Sequence, residues 1–108
     1  MDSIYRDGLA YLTLTMTDKV AYKIVDDLIE APTVRHFARD IFRAAGIEPN
    51  TVQDYFVFSA LHDLEKGVDL GPILIYRTMG KAVIVSNFYH LCAVYHRDKY
   101  AVVDCKVV

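Results

Sequence analysis

Tryptophan is absent from this 108-residue chain, and cysteine, proline and glycine are scarce at two, three and five residues. Two cysteines are too few for a disulfide framework, and a reducing, cytoplasmic setting is the expectation. The low proline and glycine content excludes collagen-like and low-complexity segments. No apolar run approaches the ~18–20 residues of a membrane span, and no membrane partner is expected. The stretch Met1-Asp2-Ser3-Ile4-Tyr5-Arg6-Asp7 has no basic segment leading into an apolar one, so no secretory leader is read. Positive charge is not in excess either. A formal net charge of −2 and a pI near 6.0 argue against strong non-specific attraction to nucleic acid.

What the chain does have is apolar residues. They make up 54% of the sequence, against about 45–50% in ordinary soluble domains. Residues 1–108 read as a single α+β domain, long enough for one core. Some of the apolar excess is expected at a subunit or partner interface.

Hydropathy patterning divides the chain into elements. Residues 9–16 alternate, with Ala10, Leu12, Leu14 and Met16 on one side and Tyr11, Thr13 and Thr15 on the other, the pattern of a half-buried strand. A helix from about Ser3 competes for residues 3–16. Thr17-Asp18 reads as a helix start, with Val20, Ile24, Leu28 and Ala31 at helical spacing and Pro32 as the stop. Thr33 is read as the cap of a second helix carrying Val34, Phe37, Ala38, Ile41, Phe42 and Ala45, closed by Gly46. Asn50 or Thr51 would cap a third, with Asp54 completing a capping box. Its apolar centre from Tyr55 to Leu61 predicts the central buried helix, ending at Lys66-Gly67.

From Pro72 the period changes to two. Ile73–Thr78 and Lys81–Ser86 flank Met79-Gly80, a two-residue hairpin turn. Phe88–His96 and Tyr100–Val107 are read as a second hairpin over Arg97-Asp98-Lys99. The expected fold is therefore α+β, with about three helices packed on one face of an antiparallel four- to five-stranded sheet.

Both cysteines and two of the four histidines fall in the last nineteen residues. On a strand, His90, Cys92 and His96 would share one face, and His90 would lie near Asp104 across the hairpin. That pairing resembles the base and orienting group of papain-like cysteine proteases, in which an imidazole activates a thiolate. The resemblance implies Cys92, His90 and Asp104 as weak catalytic candidates. It lacks a nucleophile at a helix N-terminus, since no cysteine precedes residue 92 and Ser3, Ser59 and Ser86 start no confidently read helix. A satisfied cross-strand histidine is the plainer reading. For a metal, His90 and His96 would stand ~20 Å apart along a strand, and no paired Cys-x₂₋₄-Cys or His-x₃₋₅-His spacing is present. No metal and no cofactor are expected.

Arg35, Arg39 and Arg43 recur at i, i+4 and i+8 opposite the apolar side of the second predicted helix, with His36 beside them. Three guanidiniums on one face suit phosphates or a partner's carboxylates, while a merely solvated face is the plainer reading, with Asp40 diluting the charge. The order helix, Gly46-Ile47 turn, Thr51-Val52 cap, helix, hairpin resembles winged-helix DNA-binding domains. That resemblance implies base contacts from Asn50, Thr51, Gln53 and Asp54 and a wing bearing Arg77 and Lys81. Tyr76, Tyr89, Tyr95 and Tyr100 suit either sheet packing or an association surface.

The reading favoured is a small non-catalytic protein-binding module, homodimeric through its sheet or its last strand. Such a profile suits an accessory protein of a phage, virus or other mobile element. A winged-helix-like transcriptional regulator and a papain-like cysteine hydrolase or degenerate relative are the alternatives.

Overall fold

A hydroxyl cap begins the first described helix. In the structure, a computed structural model describing residues 16–49, 55–69 and 71–108, the Thr17 Oγ1 accepts from the Val20 amide at 3.4 Å. Helix α1 follows over Asp18–Glu30 and buries Ala21, Ile24 and Leu28, one stripe at helical spacing. Ile24 and Leu28 are buried as expected, but Val20 is exposed and Ala21 takes its place in the stripe. The strand or helix read over residues 3–15, and the Asn50–Asp54 capping region, lie outside the described residues.

The helix expected from Thr33 is two elements. Val34–Phe37 is strand β1, and helix α2 begins only at Ala38 and runs to Ala45. The Ala38 amide donates to Ala101 O at 2.9 Å, which anchors this change of direction. Gly46, in the left-handed region at φ 69°, closes α2. Its amide donates to Arg43 O and that of Ile47 to Phe42 O, so carbonyls orphaned at the helix end are satisfied.

Helix α3 spans Tyr55–Glu65, strands β2 and β3 span Ile73–Thr78 and Lys81–Ser86, helix α4 spans Phe88–Arg97 and strand β4 spans Val102–Val107. The second predicted hairpin therefore does not exist. Phe88–His96 is helical because Phe88, Leu91, Cys92 and Tyr95 recur at i, i+3, i+4 and i+7, and burying that stripe outweighs the β-propensity of its tyrosines and valine. Burial also reverses the expected roles of α3 and α4. Leu91, Cys92 and Ala93 of α4 are almost wholly enclosed, whereas Tyr55 and Phe58 of α3 are 77% and 61% exposed. Helix α4 is the inner helix and α3 an outer one resting on it, with Phe56 and Tyr89 rings 5.2 Å apart.

The four described strands form one sheet in the order β1-β4-β2-β3. β1 and β4 are antiparallel, β2 and β3 form the expected hairpin, and β2 and β4 run parallel. The sheet is mixed rather than antiparallel, because α4 carries the chain back before β4 enters. β4 is also interior, so the final strand is not the exposed edge from which pairing with a second copy was expected.

Alternation sorts the sheet into two faces. Ile73, Ile75, Ala82, Ile84, Val103 and Cys105 pack with α2, α3 and α4 in the main core around Phe42. Leu74, Tyr76 and Val85 meet α1 on the other side. Among the described residues the helices thus occupy both faces, three on one and α1 on the other, which corrects the single-faced arrangement. No helix among the described residues is long and apolar enough to cross a membrane.

Phe42 stands edge-on to both Phe88, at 6.4 Å, and Tyr95, at 5.6 Å. Phe42→Ala should lower unfolding free energy by about 3–5 kcal/mol in urea titration. The hairpin turn offers the opposite sign. Met79 and Gly80 both have positive φ, 50° and 78°, the backbone of a type I′ turn in which Asn-Gly is preferred. Met79→Asn should raise stability by about 1 kcal/mol, read from the same titration.

Candidate functional site

The expected catalytic group is dispersed. His90 lies in the first turn of α4, on the side of the sheet that carries α2, α3 and α4. Asp104 alternates away from the buried Val103 and Cys105 and so emerges on the opposite side. There it pairs with Arg35, its register partner in β1, at 3.4 Å. Cys92 is two residues beyond His90 on a helix, hence about 200° around it rather than on the same face. His96 is exposed at the far end of α4.

His90 instead joins a polar junction between α3, β2 and α4. The Asp69 Oδ1 accepts from the Gly71 amide at 2.9 Å, and the Asn87 Nδ2 donates to Pro72 O at 2.7 Å. His90 hydrogen-bonds to the Gly71 backbone, while its Nδ1 is buried without a partner. Burial lowers its pKa below 6.5, against the opposing influence of that hydrogen bond and of Asp69. A histidine depressed in this way binds fewer protons folded than unfolded. Its contribution to stability is complete above pH 6.5 and is lost as pH falls through the folded value. Urea titrations between pH 7.5 and 5 should therefore show an acid loss that is shallower in His90→Gln; equal slopes would remove His90 as its source.

Neither thiol is placed as a nucleophile. Cys92 and Cys105 are both free and buried. Burial pushes the Cys105 thiol up to about 11, so it stays protonated near neutral pH. Its Sγ donates to Val103 O at 3.4 Å. Among the described residues, no three His, Cys, Asp or Glu side chains gather as a metal site.

The arginine stripe is likewise divided. Arg35 stands on β1 with Asp104, and Arg43 lies 3.8 Å from Asp40 on α2. Arg39 lies over two rings, 5.0 Å from the Phe37 centroid and 5.5 Å from that of Tyr100. This is a cation–π arrangement at an exposed site. Among the described residues, no helix covers the sheet face beside it. Phe37 and Val102, opposite one another in the register, are each 40% exposed, because α1 covers only the β2–β3 half of that side and the neighbouring part of β4. Sequence periodicity missed this surface because it placed Phe37 inside a helix.

A second feature lies across the sheet. Between α2 and the β2–β3 hairpin is a small cleft of about 90 Å³, lined by Ile41, Ile75 and Ala82 with His36, Asp40 and Arg77. At that volume it falls well short of the ~300 Å³ at which ligand pockets begin. Its lining presents no thiol or serine hydroxyl. Beside it, the hairpin turn holds Arg77, Lys81 and the fully exposed Met79. Of the residues expected on a DNA-recognition helix, Asn50, Thr51, Gln53 and Asp54 lie outside the described residues, and α3 itself presents Tyr55, Phe56 and Phe58 outward.

No family model, no curated protein and no solved structure matches this chain.

Proposed function

We propose that the chain is a small non-catalytic protein-binding module that associates through the uncovered β1–β4 half of its sheet. One observation carries this reading. The sheet face opposite the main core is covered by α1 over β2 and β3, and among the described residues no helix covers Phe37 and Val102. An apolar pair bordered by aromatic rings and arginine has the composition of the centre of an interface.

The same surface suits a second copy of the chain. β1 is an edge strand in the described sheet, and beside Phe37 and Val102 sit one cation and one anion, Arg35 and Asp104. A two-fold contact brings each patch against itself, so Arg35 of one copy can face Asp104 of the other while the apolar pairs meet. The expected C-terminal strand contact is replaced by this one, because β4 has neighbours on both sides.

Light scattering across a concentration series tests the proposal. The wild-type chain should show concentration-dependent association, and Phe37→Ser with Val102→Ser should remain monomeric while keeping its circular dichroism spectrum. A wild-type chain that stays monomeric at the highest attainable concentration would sink the self-association.

A further inference from the structure

The β2–β3 turn combines two features that stability alone does not favour. Met79 is 99% exposed, and it occupies the left-handed region at φ 50°. An L side chain is strained there, and Asn or Gly fits the same turn without that penalty. An apolar side chain held in a strained turn with no contact of its own is suited to a contact made outside the molecule.

Charge narrows what that contact is. Arg77 and Lys81 flank the turn, and neither has an ion-pair partner among the described residues. Alternation sends Arg77 to the α2 side of the hairpin and Lys81, paired with Thr78, to the other. The cations therefore surround Met79 instead of lining one side of it. A second copy meeting this tip about a two-fold axis would bring both pairs of cations together, which is repulsive. A groove on a partner would engage one side of the hairpin. A broad anionic surface met tip-first engages both.

We infer that the hairpin tip is a membrane-surface contact, in which Met79 enters the acyl–headgroup boundary of an anionic lipid layer. Arg77 and Lys81 stay among the headgroups, as basic side chains beside an inserted apolar group do. Duplex nucleic acid is the less favourable polyanion, because wedging a side chain between base steps requires unstacking, and two cations offer few phosphate contacts. A single inserted side chain gives weak, reversible attachment, so the tip acts as one of two signals rather than as an anchor. The inference does not depend on the β1–β4 face, which lies at the other edge of the sheet.

Sedimentation with sucrose-loaded vesicles decides it. The wild-type chain should partition measurably into phosphatidylcholine–phosphatidylserine vesicles at low ionic strength, and much less into phosphatidylcholine alone. Met79→Asn should reduce the partition coefficient about tenfold while its melting temperature stays level or rises, which separates lost contact from lost folding. Arg77→Gln with Lys81→Gln should reduce it by a similar factor and abolish its salt dependence. Phe37→Ser, compared with wild type at concentrations where both are monomeric, should leave it unchanged. Equal partition of Met79→Asn and wild type would overturn the proposal, as would wild-type binding no stronger to the anionic vesicles than to the neutral ones. Binding of a DNA duplex in place of the vesicles, unaffected by Met79→Asn, would also overturn it and assign the cations to nucleic acid.

Discussion

Cys105 is the point at which this fold closes. Its backbone position is matched to Val34 on one side and Ile73 on the other, and its side chain is wholly buried in the main core. Three strands from distant parts of the sequence are thus held in register by one residue of β4. The antiparallel pairing with β1 fixes where α2 begins. The parallel pairing with β2 requires a connection passing over the sheet, and the β3–α4 segment supplies it. Placing β4 inside the sheet removes the long apolar C-terminal edge that would otherwise be a site of uncontrolled pairing. The edges left among the described strands are the four-residue β1 and the hairpin strand β3.

The same placement explains why Cys105, Asp104 and His90 lie apart. Strand alternation at β4 sends Cys105 inward and Asp104 outward, and Asp104 is then held by Arg35. The thiol is placed where burial favours its neutral form. His90 is drawn to the opposite layer by its helix, where its neighbours are the Gly71 backbone and Asp69. Burial there makes its protonation unfavourable, against the opposing influence of those two neighbours. These are the electrostatics of a packed interior.

Much of the architecture was legible where two independent signals agreed. α1 had a threonine cap, an apolar stripe and a terminating proline. The β2–β3 hairpin had alternation on both sides of a turn dipeptide, and Gly46 marked the end of α2. Errors arose where local composition was ambiguous. Phe88–His96 satisfies both a two-residue and a 3.6-residue period, and its tyrosines and valine favoured the strand. The decisive cap signal was missing, because Asn87 adopts a left-handed conformation and uses its side-chain amide on Pro72 O rather than on the helix it precedes. Val34–Phe37 failed in the reverse sense. Its spacing continues smoothly into α2, and only pairing with β4, some seventy residues away, makes it a strand. The arginine stripe fell with it, since a common face existed only if residues 35–43 were one helix. What sequence could not show of the surface was coverage. Whether Phe37 is core or interface depends on how far α1 extends over the sheet, which is a tertiary property.

Two surfaces of different chemistry remain at opposite edges of the sheet, and their difference follows from how each is built. The β1–β4 face mixes signs, Arg35 with Asp104, beside apolar side chains, so it complements a surface like itself. The β2–β3 tip carries one sign only and raises a single apolar side chain beyond it, so it repels its own kind and favours an anion. Helix α1 separates the two by covering the sheet between them, with its carboxyl end tied to β4 where the Lys106 Nζ donates to Ile29 O at 2.6 Å. A chain that associates through one edge would present two copies of the other. Two weak contacts carried on one assembly raise its attachment far above that of either alone, because the second forms at a high effective concentration. A tip too weak to hold a monomer at a surface would therefore become effective if a second copy occupied the opposite edge.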